Sequence, residues 1–112
     1  MKTLFHFHER ALPGLRQWIS EVAAREPGGG MIAQLILDDI RATLSSFRGE
    51  LPDTIADVTS DPILYWWRYD RDFWISFVVR ERGLWKWKRR RIIVYSVGER
   101  PPDRVVASFH RM

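Results

Sequence analysis

The residues best suited to do chemistry in this sequence form a basic run in its second half. From Arg80 to Arg91, seven of twelve residues are Lys or Arg, and two tryptophans alternate with two lysines over 85–88. Basic side chains neutralise phosphates, and indole rings stack on unpaired bases. The run therefore predicts contact with nucleic acid or the ribosome. The alternatives are an acidic protein partner and a solvated hairpin whose charges protect a strand edge from aggregation.

The distribution of charge along the chain supports a polyanionic partner. Residues 1–60 carry 6 Lys/Arg and 8 Asp/Glu, whereas residues 61–112 carry 12 Lys/Arg and 6 Asp/Glu. The overall charge of +4 thus combines an acidic half of −2 with a basic half of +6. Such a basic half suits nucleic acid or an acidic protein.

Several kinds of reactive site are excluded by the residues that the sequence lacks. There are no cysteines, which excludes disulfides, thiolate zinc sites and cysteine nucleophiles. Glycine-rich phosphate loops, nucleophile elbows and metalloprotease motifs are also missing. His6 and His8 share one strand face but have no third ligand nearby in the sequence, so a surface or packing role is the better interpretation. We expect neither a metal nor a cofactor.

The 112 residues, 46% of them hydrophobic, predict a single domain over 1–112. Alternation predicts a strand over 3–8, and apolar spacings of three and four predict a helix from Glu9 to Glu26. The triple glycine after Pro27 ends that helix, and a second helix follows from about Met31 to Phe47. A loop follows, with an extended stretch over 55–58. Strands are predicted over 63–69, 73–80 and 84–97, with turns at 70–72 and 81–83 between them. A short helix is predicted within 103–112.

These elements predict an α+β fold in which a short N-terminal strand and an antiparallel helical hairpin pack on one face of a mainly antiparallel β-sheet. The apolar runs are too short to span a bilayer. The N-terminal eight residues lack the apolar stretch of a signal peptide. We therefore expect a cytoplasmic protein with no membrane partner.

Three segments carry a resemblance to a known family. Phe5 to Leu12, followed by the helix that contains Leu15 and Trp18, resembles the opening of RelE/ParE-type toxins of type II toxin–antitoxin systems. The segment from Ile92 to Arg100 is similar to the last core strand of that family, and 65–79 is similar to the hairpin before it. Each motif is short, so the resemblance depends on their order and spacing together.

The resemblance implies a RelE/ParE-like fold and a toxin that cleaves mRNA on the ribosome. Such an endoribonuclease acts without metal through a basic sheet face, and a cognate antitoxin protein binds it. A ParE-like toxin that inhibits DNA gyrase without catalysis is a second possibility. The third is a non-toxic binding module on the same scaffold, because a fold alone does not determine function.

The expected site residues follow the family only in part. RelE-type toxins use basic residues on the second strand, an arginine on the third, an arginine after the last strand and a tyrosine near the C-terminus. Of these, only Arg100 matches cleanly. The second-strand positions are occupied by Tyr65, Trp66 and Trp67, with Arg68 alongside. Trp74 stands where the third-strand arginine is expected, and Val105–Val106 stands near the position of the tyrosine.

The candidates for catalysis are accordingly Arg100, Arg68 and His110. Arg100 would stabilise the charged phosphorane, because a guanidinium matches phosphate oxygens. The alternative is an ordinary ion pair with Glu99 or Asp103. His110 is the one histidine in the basic half, and imidazole titrates in a useful range. The candidates for nucleic-acid binding are Lys86, Trp87, Lys88, Arg89, Arg90, Arg91 and Arg71.

Overall fold

The structure is a computed structural model that describes residues 2–25, 27–71, 73–84 and 88–110. It is α+β, with a mixed five-stranded sheet and three α-helices. The elements in chain order are β1 (Lys2–Phe7), a 3-10 turn (Glu9–Ala11), α1 (Leu12–Arg25), α2 (Gly29–Ser45), β2 (Thr54–Asp57), β3 (Leu64–Asp70), β4 (Phe73–Arg82), β5 (Arg89–Val97) and α3 (Asp103–His110).

The strands lie in the order β1-β5-β4-β3-β2. The pairs β2–β3, β3–β4 and β4–β5 are antiparallel. β1 pairs with β5 in parallel and forms one edge of the sheet. The predicted α+β class is confirmed, but the sheet is mixed. Turn residues indicate antiparallel hairpins, whereas the position of β1 depends on a contact across nearly the whole chain.

The main core lies between the sheet and the helical hairpin. Ile40 and Leu44 of α2 pack on Phe77, Ile92 and Val94, and all five are at most 2% exposed. These positions alternate along β4 and β5, so the intervening side chains project from the opposite face. We call that opposite face the outer face of the sheet.

A glycine lets the first helix lie directly on β5. Gly14 is in the first turn of α1, and a Cβ added to it would collide with the carbonyl oxygen of Val97. The helix backbone therefore approaches the strand more closely than any other residue would allow. Apart from this contact, α1 buries its apolar side chains only partly.

The third helix covers one part of the outer face. Val105 of α3 is buried against Ile55, Trp66 and Trp74, which belong to β2, β3 and β4. The helix therefore shields the β2–β3 side of the outer face.

The hairpin between β4 and β5 is longer than its predicted turn allows. β4 continues through Arg82, which pairs with Arg89, so the predicted turn at 81–83 is mostly strand. Residues 85–87 of the predicted strand lie outside the described residues. In the described ranges, no helix is long and apolar enough to cross a membrane.

Candidate nucleic-acid interface

The register of the β4–β5 hairpin sorts its charged residues onto two faces. Arg80 lies opposite Arg91, and Arg82 lies opposite Arg89, on the outer face. Between these pairs, Glu81 lies opposite Arg90 on the helix side. Side chains alternate between the faces of a strand, so two like-charged pairs occupy one face and an oppositely charged pair occupies the other.

The four outer arginines surround a groove of about 310 Å³. Leu4 of β1 and Ile93 of β5 supply its apolar part. We call this surface the arginine groove, and we define it by Leu4, Arg80, Arg82, Arg89, Arg91 and Ile93. The four arginines are exposed. None of them has a hydrogen bond or an ion pair to a carboxylate within the part of the chain that the structure describes.

This arrangement of charge is unfavourable for the isolated protein. Directly opposed side chains on one face of an antiparallel pair have Cβ atoms about 4.5–5.5 Å apart, and like charges there are destabilising. Two such pairs lie side by side at this end of the sheet. An anion between them would remove the repulsion, and phosphate oxygens match the guanidinium fork.

Arg90 has a different role from its neighbours Arg89 and Arg91. It borders the groove, but its guanidinium donates to the carbonyl of Phe47 and to that of Ser45 at 2.5 Å. These carbonyls lie at and just beyond the end of α2, where helical partners are missing. Burial lowers the pKa of Arg90, and Arg48 adds to the effect. This arginine holds the helical hairpin to the sheet.

Lys88 and Glu81 form an ion pair across the same hairpin. Lys88 Nζ lies 2.6 Å from Glu81 Oε2, and this hydrogen bond lowers the pKa of Glu81. Glu81 is the one carboxylate of the hairpin among the described residues, and it neutralises Lys88 on the helix side. The outer face of the hairpin therefore keeps its full positive charge.

Two histidines lie beyond the groove lining, His6 in β1 and His8 just after it. His6 pairs with Ile93, which borders the groove, and it is exposed on the outer face. The His8 ring stacks on that of Tyr95, with centroids 4.7 Å apart and planes inclined by 16°. The Nδ1 atom of His8 accepts a hydrogen bond from the backbone N–H of Arg10 at 3.1 Å. Two imidazoles thus adjoin the basic surface.

Arg100 is exposed just beyond the end of β5, whereas Arg89 and Arg91 of the groove lie at the beginning of that strand. Glu99 does not pair with Arg100, because both carboxylate oxygens of Glu99 accept from Arg10, at 3.0 and 3.2 Å. Arg10 in turn bonds His8 through its backbone. Of the two carboxylates that could give Arg100 a structural ion pair, Glu99 is therefore already paired with Arg10.

The other predicted site residues are dispersed. Arg68 lies on β3, where its Nη2 is 3.8 Å from Asp53 Oδ1. Arg71 occupies the turn between β3 and β4, at the end of the sheet away from the arginine groove. His110 ends α3, and its side chain lies outside the described residues, as do Lys86 and Trp87. The structure does not place Arg68 or Arg71 beside the arginine groove.

The site contains residues that the sequence candidates omitted. Arg80 and Arg82 belong to the predicted basic run but not to the predicted binding residues, and His6 was given a surface role. Arg80 and Arg82 are two residues apart, as are Arg89 and Arg91, so each pair projects from one face of its strand. With the hairpin register, this spacing would have identified the four arginines as one site. Among the described residues, no group of three His, Cys, Asp or Glu could hold a metal ion.

Comparisons with protein-family models, with curated protein sequences and with solved structures find no match to this chain. The function must therefore be inferred from the geometry of the site and from the resemblance in the sequence.

Proposed function

We propose that this protein binds single-stranded RNA through the arginine groove and acts as a toxin of a type II toxin–antitoxin system. In this proposal it cleaves mRNA on the ribosome without a metal. It acts in the cytoplasm, where its substrate is, and a cognate antitoxin neutralises it. The observation that carries the proposal is the pair of opposed arginine pairs, Arg80/Arg91 and Arg82/Arg89, on one open face.

The chemistry of the groove favours a phosphate backbone over an acidic protein. Four guanidinium groups surround a groove with an apolar edge at Leu4 and Ile93. Planar guanidinium groups bind phosphate oxygens in a bidentate fashion. An unpaired RNA strand presents phosphates together with bases that stack on rings such as that of Tyr95. Duplex RNA would offer no free base faces to this surface.

The order of elements is compatible with the RelE/ParE resemblance of the sequence. One strand and two helices precede the antiparallel strands, and a short helix follows. On this proposal, Arg100 stabilises the negative charge that develops on the phosphorus in the transition state. An antitoxin with an acidic segment would compete with RNA for the same arginines, and pull-down of a small acidic protein with the toxin would support this.

Inhibition of DNA gyrase without catalysis is the second candidate. It is favoured by the dispersal of the predicted site residues, because the catalytic candidate Arg68 on β3 and the binding candidate Arg71 in the next turn are not assembled with the groove. In this case the basic face would bind a protein or DNA, and Arg100 would not affect the rate of any cleavage reaction.

Inducible expression with separate readouts of translation and DNA supercoiling tests the proposal. We expect rapid arrest of translation, with mRNA cut at ribosome-bound positions and unchanged supercoiling. An SOS response with intact mRNA would instead support inhibition of gyrase. Normal growth at high expression would contradict both toxin functions and leave the non-toxic binding module.

The Arg100→Ala variant separates cleavage from binding in the same experiment. Loss of a group that stabilises the developing charge should lower the cleavage rate by about a hundredfold. Because Arg100 is outside the arginine groove, RNA affinity should change little. Arg16→Ala, an exposed arginine on α1, is the matched control and should leave cleavage and binding at the level of the parent.

A further inference from the structure

We propose that the imidazole ring of His8, supported by Tyr95, is the platform on which an unpaired base of the RNA strand stacks beside the arginine groove. This inference rests on the RNA-binding part of the proposed function and deepens it, because it assigns the side chain that contacts a base. It goes beyond the sequence prediction, which gave His8 a surface or packing role.

The platform consists of two aromatic rings in a nearly parallel stack. The centroids of the His8 and Tyr95 rings are 4.7 Å apart, and the two planes are inclined by 16°. Tyr95 is half-buried, whereas His8 is exposed. In the described ranges, no second ring contacts His8. Tyr95 therefore supports one face of the imidazole, and the opposite face is the one that a base contacts.

The contacts of His8 fix the orientation of its ring. Nδ1 accepts a hydrogen bond from the backbone N–H of Arg10 at 3.1 Å. The guanidinium of Arg10 in turn donates to both carboxylate oxygens of Glu99, at 3.0 and 3.2 Å. The ring is thus held at one edge and on one face before any ligand binds. A base that stacks on it therefore immobilises little additional side-chain freedom, and this lowers the cost of binding.

The same hydrogen bond makes the platform uncharged. A nitrogen that accepts a hydrogen bond carries no proton, and a neutral imidazole has its one N–H on the other nitrogen, Nε2. His8 therefore binds as a neutral aromatic ring rather than as a cation. Stacking on such a ring tolerates any sequence, because every base has a π-face. It adds affinity without adding to the salt dependence, which comes from neutralised phosphates.

The platform lies on the path of a strand that leaves the arginine groove. Arg91 and Ile93 border the groove, and Tyr95 follows them on β5 at the same interval of two residues. The backbone N–H of His8 donates to the carbonyl of Val94 at 2.8 Å, which holds His8 beside this part of β5. Four residues separate Arg91 from Tyr95, or about 13 Å of extended strand. An RNA strand whose phosphates bind the arginines can thus continue along β5 and place a base on His8.

Two substitutions of His8 separate its ring from its hydrogen-bond acceptor. His8→Asn removes the ring and keeps an acceptor for the Arg10 N–H, whereas His8→Phe keeps a ring and removes the acceptor. Fluorescence anisotropy with a short labelled single-stranded RNA measures their affinities. His8→Asn should weaken binding by about five- to a hundredfold, the range for one stacked base, and His8→Phe by less than about threefold. Thermal melts should show the reverse order, with His8→Phe the less stable variant.

Inorganic polyphosphate distinguishes loss of stacking from damage to the groove, because it presents phosphates without bases. His8→Asn should keep the parental affinity for polyphosphate to within about twofold, and its slope of log affinity against log salt should equal that of the parent. His6→Asn removes an exposed imidazole from the same face. In the described part of the chain His6 has no ring beneath it, so this variant should lose less RNA affinity than His8→Asn.

Each outcome bears on a different claim. Failure of the parent to bind RNA would contradict the proposed function, and the platform with it. RNA binding that His8→Asn leaves at the parental level would overturn the platform and leave RNA binding intact. The platform would also be overturned by equal losses for RNA and polyphosphate, by an equal loss in His6→Asn, or by a loss confined to His8→Phe. A loss for RNA alone in His8→Asn, with affinity kept in His8→Phe, would support it.

Discussion

The two halves of the outer face use charged residues in opposite ways. On the β2–β3 side, α3 covers the sheet, and Arg104 of this helix bonds Asp57 at 2.6 Å and Thr59 at 3.1 Å. On the β4–β5 side, four arginines are exposed without a carboxylate partner among the described residues. One half neutralises its charge internally, whereas the other leaves its charge exposed.

The difference shows that the positive charge of the chain is not a uniform solubilising surface. Where a basic residue is needed for folding, the structure provides its acceptor, as it does for Arg104 and for Arg90. Among the described residues, the opposed pairs Arg80/Arg91 and Arg82/Arg89 have no such acceptor, and like charges opposite each other on one sheet face are destabilising. Positions that lower stability in the absence of a partner are where binding is best sought.

The largest effect on stability should come from Arg90, compared with its neighbour Arg91. Arg90→Met removes the buried donor to the carbonyls of Phe47 and Ser45, which then keep only Arg48, and should lower the free energy of unfolding by about 1–3 kcal/mol. Arg91→Met should change it by less than about 0.5 kcal/mol, because Arg91 is exposed and opposes Arg80. Urea unfolding measures both. A cost at Arg91 equal to that at Arg90 would contradict the separation of the two faces.

A smaller loss of stability is expected where α3 docks. Val105 is 4% exposed against Trp66 and Trp74, so Val105→Ala should lower the free energy of unfolding by about 1–2 kcal/mol. Val106 is only partly buried, so Val106→Ala is the matched control with a smaller cost. RNA affinity should be unchanged in both. A weaker affinity in Val105→Ala alone would show that the covered half takes part in binding.

The smallest of these effects concerns pH and the carboxylate under α3. The Thr59 hydroxyl, the Thr59 backbone N–H and Arg104 stabilise the charged form of Asp57 and lower its pKa from the usual value of 3.8. A lowered pKa in the folded state contributes stability above the pKa of the unfolded state, and that stability is lost as the pH falls through the folded pKa.

Asp57→Asn should therefore lower the free energy of unfolding by about 1 kcal/mol at neutral pH. The difference from the parent should shrink below about pH 4, where the unfolded chain begins to hold the proton. Thermal melts from pH 7 to pH 2.5 measure it. A difference that grows on acidification would contradict the assignment of a lowered pKa to Asp57.

The sequence predicted the elements of the fold better than their arrangement. Alternation and helical spacing gave the two helices, the strands and the short extended stretch, which the structure has as β2 at Thr54–Asp57. The parallel edge formed by β1 could not be predicted, because it depends on pairing between Lys2–Phe7 and residues about 87 positions away. The position of α3 on the outer face likewise depends on tertiary packing around Val105.

The candidate site could also be predicted only in part. The basic run was visible in the sequence, but neighbouring residues of the run have different functions. Arg90 is 2% exposed, whereas Arg89 and Arg91 are exposed, and only the register of β4 with β5 separates them. Nothing in the neighbouring sequence indicated that His6 adjoins the arginine groove, because this depends on its pairing with Ile93 on an adjacent strand.

The most direct test of the account is the salt dependence of single-stranded RNA binding in two variants of equal net charge. One carries Arg89→Gln with Arg91→Gln, and the other carries Arg16→Gln with Arg25→Gln on exposed positions of α1. Fluorescence anisotropy from about 50 to 200 mM salt gives the slope of log affinity against log salt. If the arginine groove binds the phosphates, the first slope should be shallower than that of the parent by up to about 1.4, or 0.7 for each lost contact. The second slope should equal that of the parent. Equal slopes in the two variants would show that the groove is not the RNA site.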